Sequence, residues 1–77
     1  MITKKELEQA VYNFAVSLEK IKKDRKLSYT QLADIMQIER ANVIRIIVQK
    51  NVNVSLKTIV STCKNLGIKV SEVIDLK

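Results

Sequence analysis

Leu7, Val11, Phe14, Leu18 and Ile21 recur at intervals of four and three. That spacing lays one apolar stripe along about four turns of helix. Ala10 and Ala15 widen the stripe. Thr3 followed three residues later by Glu6 has the form of a capping box, so the helix is expected to open there. The basic residues Lys20, Lys22, Lys23, Arg25 and Lys26, interrupted by Asp24, crowd its far end. Cations suit the negative end of a helix dipole, so this run has a structural reason to exist as well as being a solvated face or a route to an anionic partner.

Leu27 ends the first segment, and Ser28 with Gln31 repeats the capping-box spacing. Leu32, Ala33, Ile35 and Met36 then supply the apolar side of a helix of about two turns. Gln37, Ile38 and Glu39 make a tight connection without Gly or Pro. A third helix is expected from about Arg40 to Val48, although Val43, Ile44, Ile46, Ile47 and Val48 are all β-branched and would also suit a strand. Residues 50–54 read as a loop. Ser55 caps a fourth helix whose Leu56, Ile59, Val60, Cys63 and Leu66 keep helical spacing, and Gly67 is placed to end it. Ser71 is expected to cap a last short helix holding Val73, Ile74 and Leu76.

Composition agrees with helices. The 77 residues contain no Pro and one Gly, whereas a β-rich chain of this length draws on both for its turns. With 47% hydrophobic and 29% charged residues, the chain has the balance of one folded domain. There is no apolar stretch of membrane-spanning length and no signal-like core after Met1, so a cytoplasmic protein without membrane attachment is expected.

The chemistry available is narrow. The absence of His removes the commonest general base and metal ligand. A single Cys cannot form an intramolecular disulfide or a structural zinc site, and one Gly cannot build a phosphate-cradling loop. Cys63 falls on the apolar stripe of its helix, which makes it a core residue before it is a reactive thiol. No catalytic residues, metal or cofactor are expected, and the protein is read as not an enzyme. A net charge of +6 instead directs attention to a polyanionic partner: nucleic acid, an acidic protein or an anionic membrane surface. The membrane fits poorly, because the apolar stripes are needed inside the fold.

In this order and spacing, the stretch from Phe14 to Leu76 resembles the Cro-like, XRE-type phage-repressor helix-turn-helix DNA-binding family. The resemblance rests on Phe14, Leu18 and Ile21, on Leu27-Ser28, and on Leu32-Ala33. It continues through Ile38, Val43 and Ile46, through Ser55-Leu56, and through Asn65-Leu66-Gly67-Ile68 to Val73-Ile74. It implies an all-α, compact five-helix bundle whose third helix enters the major groove of double-stranded DNA. Carried over by position, Arg40, Ala41, Asn42 and Arg45 fall where the family reads base edges, with Ile44 beside them. Their side chains suit base reading, since Arg pairs with guanine O6 and N7, Asn with adenine, and Ala or Ile meets the thymine methyl. DNA-backbone contacts are implied for Ser28, for Tyr29 where many relatives carry Gln, and for Lys50, Asn51 and Asn53.

The chain departs from the family in several places. Gln37 stands where the turn usually has Gly, and Ile47 and Gln49 replace a Glu-x-Gly element. That Glu commonly pairs with a basic residue on the first helix; Lys22 stands in the basic position, and Ile47 cannot pair with it. The loop after the third helix is one residue longer, and Val54 replaces a frequent Pro.

The whole chain is read as one helix-turn-helix domain in which residues 1–13 extend the first helix. Leu7 and Val11 carry the apolar stripe beyond the expected edge of the bundle, while Ile47 and Val48 are apolar where relatives are polar. All four are dimerisation candidates, since such patches on small domains mark partners. The function expected is a sequence-specific transcription regulator, a repressor binding a short operator as a homodimer. The alternative is an antitoxin or another protein-interaction module whose bundle binds a protein partner such as a toxin.

Overall fold

The computed structural model describes residues 3–74. Five helices follow in order: α1 Lys4–Asp24, α2 Tyr29–Met36, α3 Arg40–Gln49, α4 Leu56–Leu66 and α5 Val70–Ile74. No strand is present among the described residues, and the all-α expectation holds. None of these helices is long and apolar enough to cross a membrane. The expectation for Leu76 lies outside the described residues.

The helix starts are set by the local chemistry of their caps. Thr3 Oγ1 accepts the Glu6 N–H at 3.1 Å, and the Thr3 N–H donates to Glu6 Oε1 at the same distance. Ser28 and Gln31 repeat the exchange at 3.0 and 2.8 Å. Ser55 Oγ accepts from the Thr58 N–H at 3.2 Å. Each cap satisfies donors that the first turn leaves without an intrahelical partner. Ser71, by contrast, is not a cap. It lies inside α5, which begins at Val70, and the Lys69 N–H is met by the Glu72 carboxylate. A local signal two residues out of place was overridden by the acid three residues beyond Lys69.

Helix ends require left-handed backbone at three caps. Gly67 takes φ 72°, where the missing Cβ makes the conformation cheap. Gln37 takes φ 59° at the end of α2, and the Ile38 N–H then reaches back to the Ala33 carbonyl. Lys50 takes φ 59° after α3. Holding a side-chain-bearing residue here costs about 1 kcal/mol relative to Gly. Gln37→Gly is therefore expected to raise stability by about 0.5 kcal/mol, after allowing for the extra freedom Gly brings to the unfolded chain. A rise of a few degrees in Tm would confirm it; an unchanged or lower Tm would contradict it.

The core gathers Phe14, Ala15 and Leu18 from α1, Leu32, Ala33 and Met36 from α2, and Val43, Ile46 and Ile47 from α3. Ile59, Cys63 and Leu66 from α4 and Val73 from α5 complete it. Side-chain hydrogen bonds help to fix the outer helices. Asn65 Nδ2 donates to the Ile35 carbonyl at 2.7 Å, tying α4 to α2. Asn13 Nδ2 donates to the Ile74 carbonyl at 3.2 Å, tying α1 to α5. Thr62 is fully buried, and its hydroxyl has no hydrogen-bond partner among the described residues. Thr62→Val removes that desolvated hydroxyl at nearly constant shape, and a stabilisation of up to about 1 kcal/mol is expected. A loss of Tm would show that the hydroxyl is paired in solution.

Two expectations about exposed apolar surface are corrected. Ile47 is 2% exposed and belongs to the core. Val11 is also buried, because α5 packs along α1 and covers the stripe. Only Leu7 and Val48 of the four dimerisation candidates present apolar surface, at 54% and 67% exposed.

Candidate nucleic-acid interface

The burial of α3 decides what its other side offers. Val43, Ile46 and Ile47 are spaced by three and one, so a helix turns all of them inward together. A strand would instead have aligned Val43, Arg45 and Ile47, driving a guanidinium into the core. The helix leaves Arg40, Ala41, Asn42 and Arg45 exposed, with Ile44 half-buried beside them. Four of the five residues expected to read bases thus share open surface on one short, well-anchored element.

Arg45 and Asn42, one turn apart, touch each other. Arg45 Nη1 donates to Asn42 Oδ1 at 3.5 Å, a long and weak bond. It aligns the two groups without consuming their other donors. Both line a cleft with Asn53, Ser55 and Thr58. The first turn of α4 therefore borders α3, a juxtaposition that the capping role of Ser55 did not announce.

The start of α2 contributes a second cluster. Ser28 is exposed, and its hydroxyl, already accepting from Gln31, keeps its own proton to donate. Tyr29 is half-buried, with the Lys22 ammonium 4.3 Å from its ring centroid. A cation over the face of a phenol is attractive, so Lys22 steadies Tyr29 across the gap between α1 and α2. Sequence reading placed Lys22 in the basic run at the end of the first helix and in the basic position of the family's helix 1 ion pair. Its pairing with Tyr29 arises from packing and has no local signature.

Asn51 and Asn53 are exposed in the loop after α3. Lys50 is placed differently. Its ammonium donates to the Ile47 carbonyl at 2.7 Å and lies 3.5 Å from Glu19 Oε1 on α1. The ion pair between the first helix and the end of the third is thus present with its polarity reversed, acid on α1 and base beyond α3.

Among the described residues no group of three or more acidic, Cys or His residues could hold a metal ion. Burial, and secondarily the negative charge of Glu72, push the Cys63 thiol above its ordinary pKa, which keeps it a neutral core group.

Two short helices joined through a left-handed turn, the second held by its apolar side and presenting Arg and Asn outward, define a helix-turn-helix DNA-binding domain. Residues 17–77 match the family of Cro/C1-type helix-turn-helix DNA-binding domains, and the chain belongs to that family. The match begins inside α1, yet Ala10, Val11, Phe14 and Ala15 before it are also buried. No curated protein and no solved structure matches the chain at a significant level.

Proposed function

We propose that this DNA-binding regulator is a transcriptional repressor that occupies a short, palindromic operator as a homodimer. Arg40, Ala41, Asn42, Ile44 and Arg45 read base edges in the major groove, and Ser28, Tyr29, Asn51 and Asn53 contact the DNA backbone. The observation that carries this reading is the exposed Arg–Asn side of a helix whose opposite side is locked in the core. Such rigidity suits base readout, because a side chain already held in place gives up little freedom on binding. A partner of this kind is met in the cytoplasm. Random-site selection followed by a salt-titrated gel shift tests the proposal. A recovered motif with two half-sites about 34 Å apart, or a multiple of that spacing, supports a dimeric reader. Equal binding to every duplex would reduce the surface to a generic cation.

A second reading, an antitoxin or other protein-binding module, draws on a different surface. Leu7 and Leu56 are 54% and 71% exposed and flank an apolar groove lined by Val11, Ile59, Val70 and Ile74. This surface, with Val48, is also where the dimer contact is proposed, including the extension formed by residues 1–13. Sedimentation showing only monomer at micromolar and higher concentrations would remove the homodimer and leave the groove to another partner.

A further inference from the structure

We infer that Glu19 is a positioning residue that limits the overall grip on DNA: it holds Lys50 at the carboxyl end of the recognition helix and so withholds that ammonium from DNA phosphate. The inference rests on the DNA-binding reading and assigns Lys50 a role other than a phosphate contact.

Three contacts converge on Lys50. Its backbone N–H closes α3 by donating to the Ile46 carbonyl at 3.0 Å. Its ammonium donates to the Ile47 carbonyl at 2.7 Å and faces Glu19 at 3.5 Å. The side chain is correspondingly the more covered of the pair, 24% exposed against 38% for Glu19. A cation is favoured at a helix carboxyl end, where the last carbonyls lack intrahelical donors. The left-handed backbone of Lys50 folds the chain back at this point.

The position matters because Lys50 opens the loop that carries Asn51 and Asn53, and Asn53 shares a cleft with Asn42 and Arg45. An unrestrained lysine there would add a phosphate contact to every duplex, whatever its sequence. Such contacts raise non-specific and specific affinity together and make both more sensitive to salt. The Ile47 carbonyl alone is a neutral acceptor and competes poorly with a phosphate, whose bond to an ammonium is charge-assisted. Glu19 supplies the opposing charge. Because a half-exposed ion pair contributes little to folding, its loss is expected to alter binding far more than Tm.

The test compares wild type, E19Q, K50Q and the E19Q/K50Q double variant, each confirmed folded by circular dichroism. Binding is measured to a random-sequence duplex and to the selected operator between 50 and 200 mM salt. E19Q is expected to steepen the dependence of log affinity on log salt by about 0.9, the value of one further phosphate contact, which is roughly a 3.5-fold larger loss of affinity over that range. Its affinity for both duplexes rises together at low salt, so the operator-to-random ratio stays at the wild-type value. K50Q leaves the slope at the wild-type value, and the double variant returns to it. A slope unchanged in E19Q, or lowered by about 0.9 in K50Q, overturns the proposal, the latter because Lys50 would then already touch phosphate.

Acetylation of the DNA-free chain, read by mass spectrometry, gives an independent measure. Lys50 is expected to react several-fold more slowly than exposed Lys57 and to gain reactivity in E19Q; equal rates in wild type would also overturn the proposal. If no variant binds any duplex, both the DNA-binding reading and the role of Glu19 fail. If binding is normal and only the E19Q slope is unmoved, the role of Glu19 fails alone.

Discussion

Arg45→Ala is expected to weaken binding to the selected operator by about 1–3 kcal/mol, roughly 5- to 150-fold, and to relax the base preference at one position. The guanidinium is exposed on the outer side of α3, so its removal costs no core packing and leaves Tm nearly unchanged. The readout that decides is the ratio of operator to random duplex. Losing a base contact lowers the first and spares the second, apart from a small electrostatic loss shared by both. A variant that weakens all duplexes equally would mean that Arg45 acts as a charge and reads nothing. Asn42 Oδ1 accepts from Arg45 at 3.5 Å, so the two residues form a coupled pair. Their combined truncation should fall short of, or exceed, the sum of the single effects, as expected for side chains in contact.

Ile47→Ala is expected to destabilise the fold by about 2–5 kcal/mol, the range for truncating a buried aliphatic side chain. In a domain of this size each kcal/mol moves Tm by about 4–8 °C, so the variant melts well below the parent. The loss should not depend on protein concentration, because Ile47 packs inside its own chain at 2% exposure. Val48, its neighbour at 67% exposure, gives the contrast: Val48→Ala should leave the monomer's stability within about 0.5 kcal/mol of the parent. A concentration-dependent Tm change on Ile47→Ala would return this residue to an interface between copies.

These two neighbours show where sequence reading reaches its limit. Ile47 and Val48 are both β-branched, apolar and placed where relatives are polar, so the pattern offers no ground for separating them. One turns inward and the other outward only because α3 is a helix seated on α1 and α2, and a rotation of about 100° per residue divides them. Val11 fails the same way: its stripe was legible, but the helix that covers it comes from the far end of the chain. Lys50 was legible as a cation after α3, and its partner Glu19 lies thirty-one positions earlier. The exposure of Arg40, Ala41, Asn42 and Arg45 was more legible, since they sit opposite an apolar trio whose spacing was already helical.

The order of residues was enough to specify the helix count, the capping of α1, α2 and α4, the Gly67 stop and the family, because caps and apolar periodicity act over three or four residues and need no distant partner. Packing alone settled the burial of Ile47 and Val11, the seat of Lys22 over Tyr29 and the reversal of the α1–α3 ion pair. Those depend on which helix covers which side. Whole apolar faces compete for one shared core, and no short stretch of chain contains the outcome of that competition.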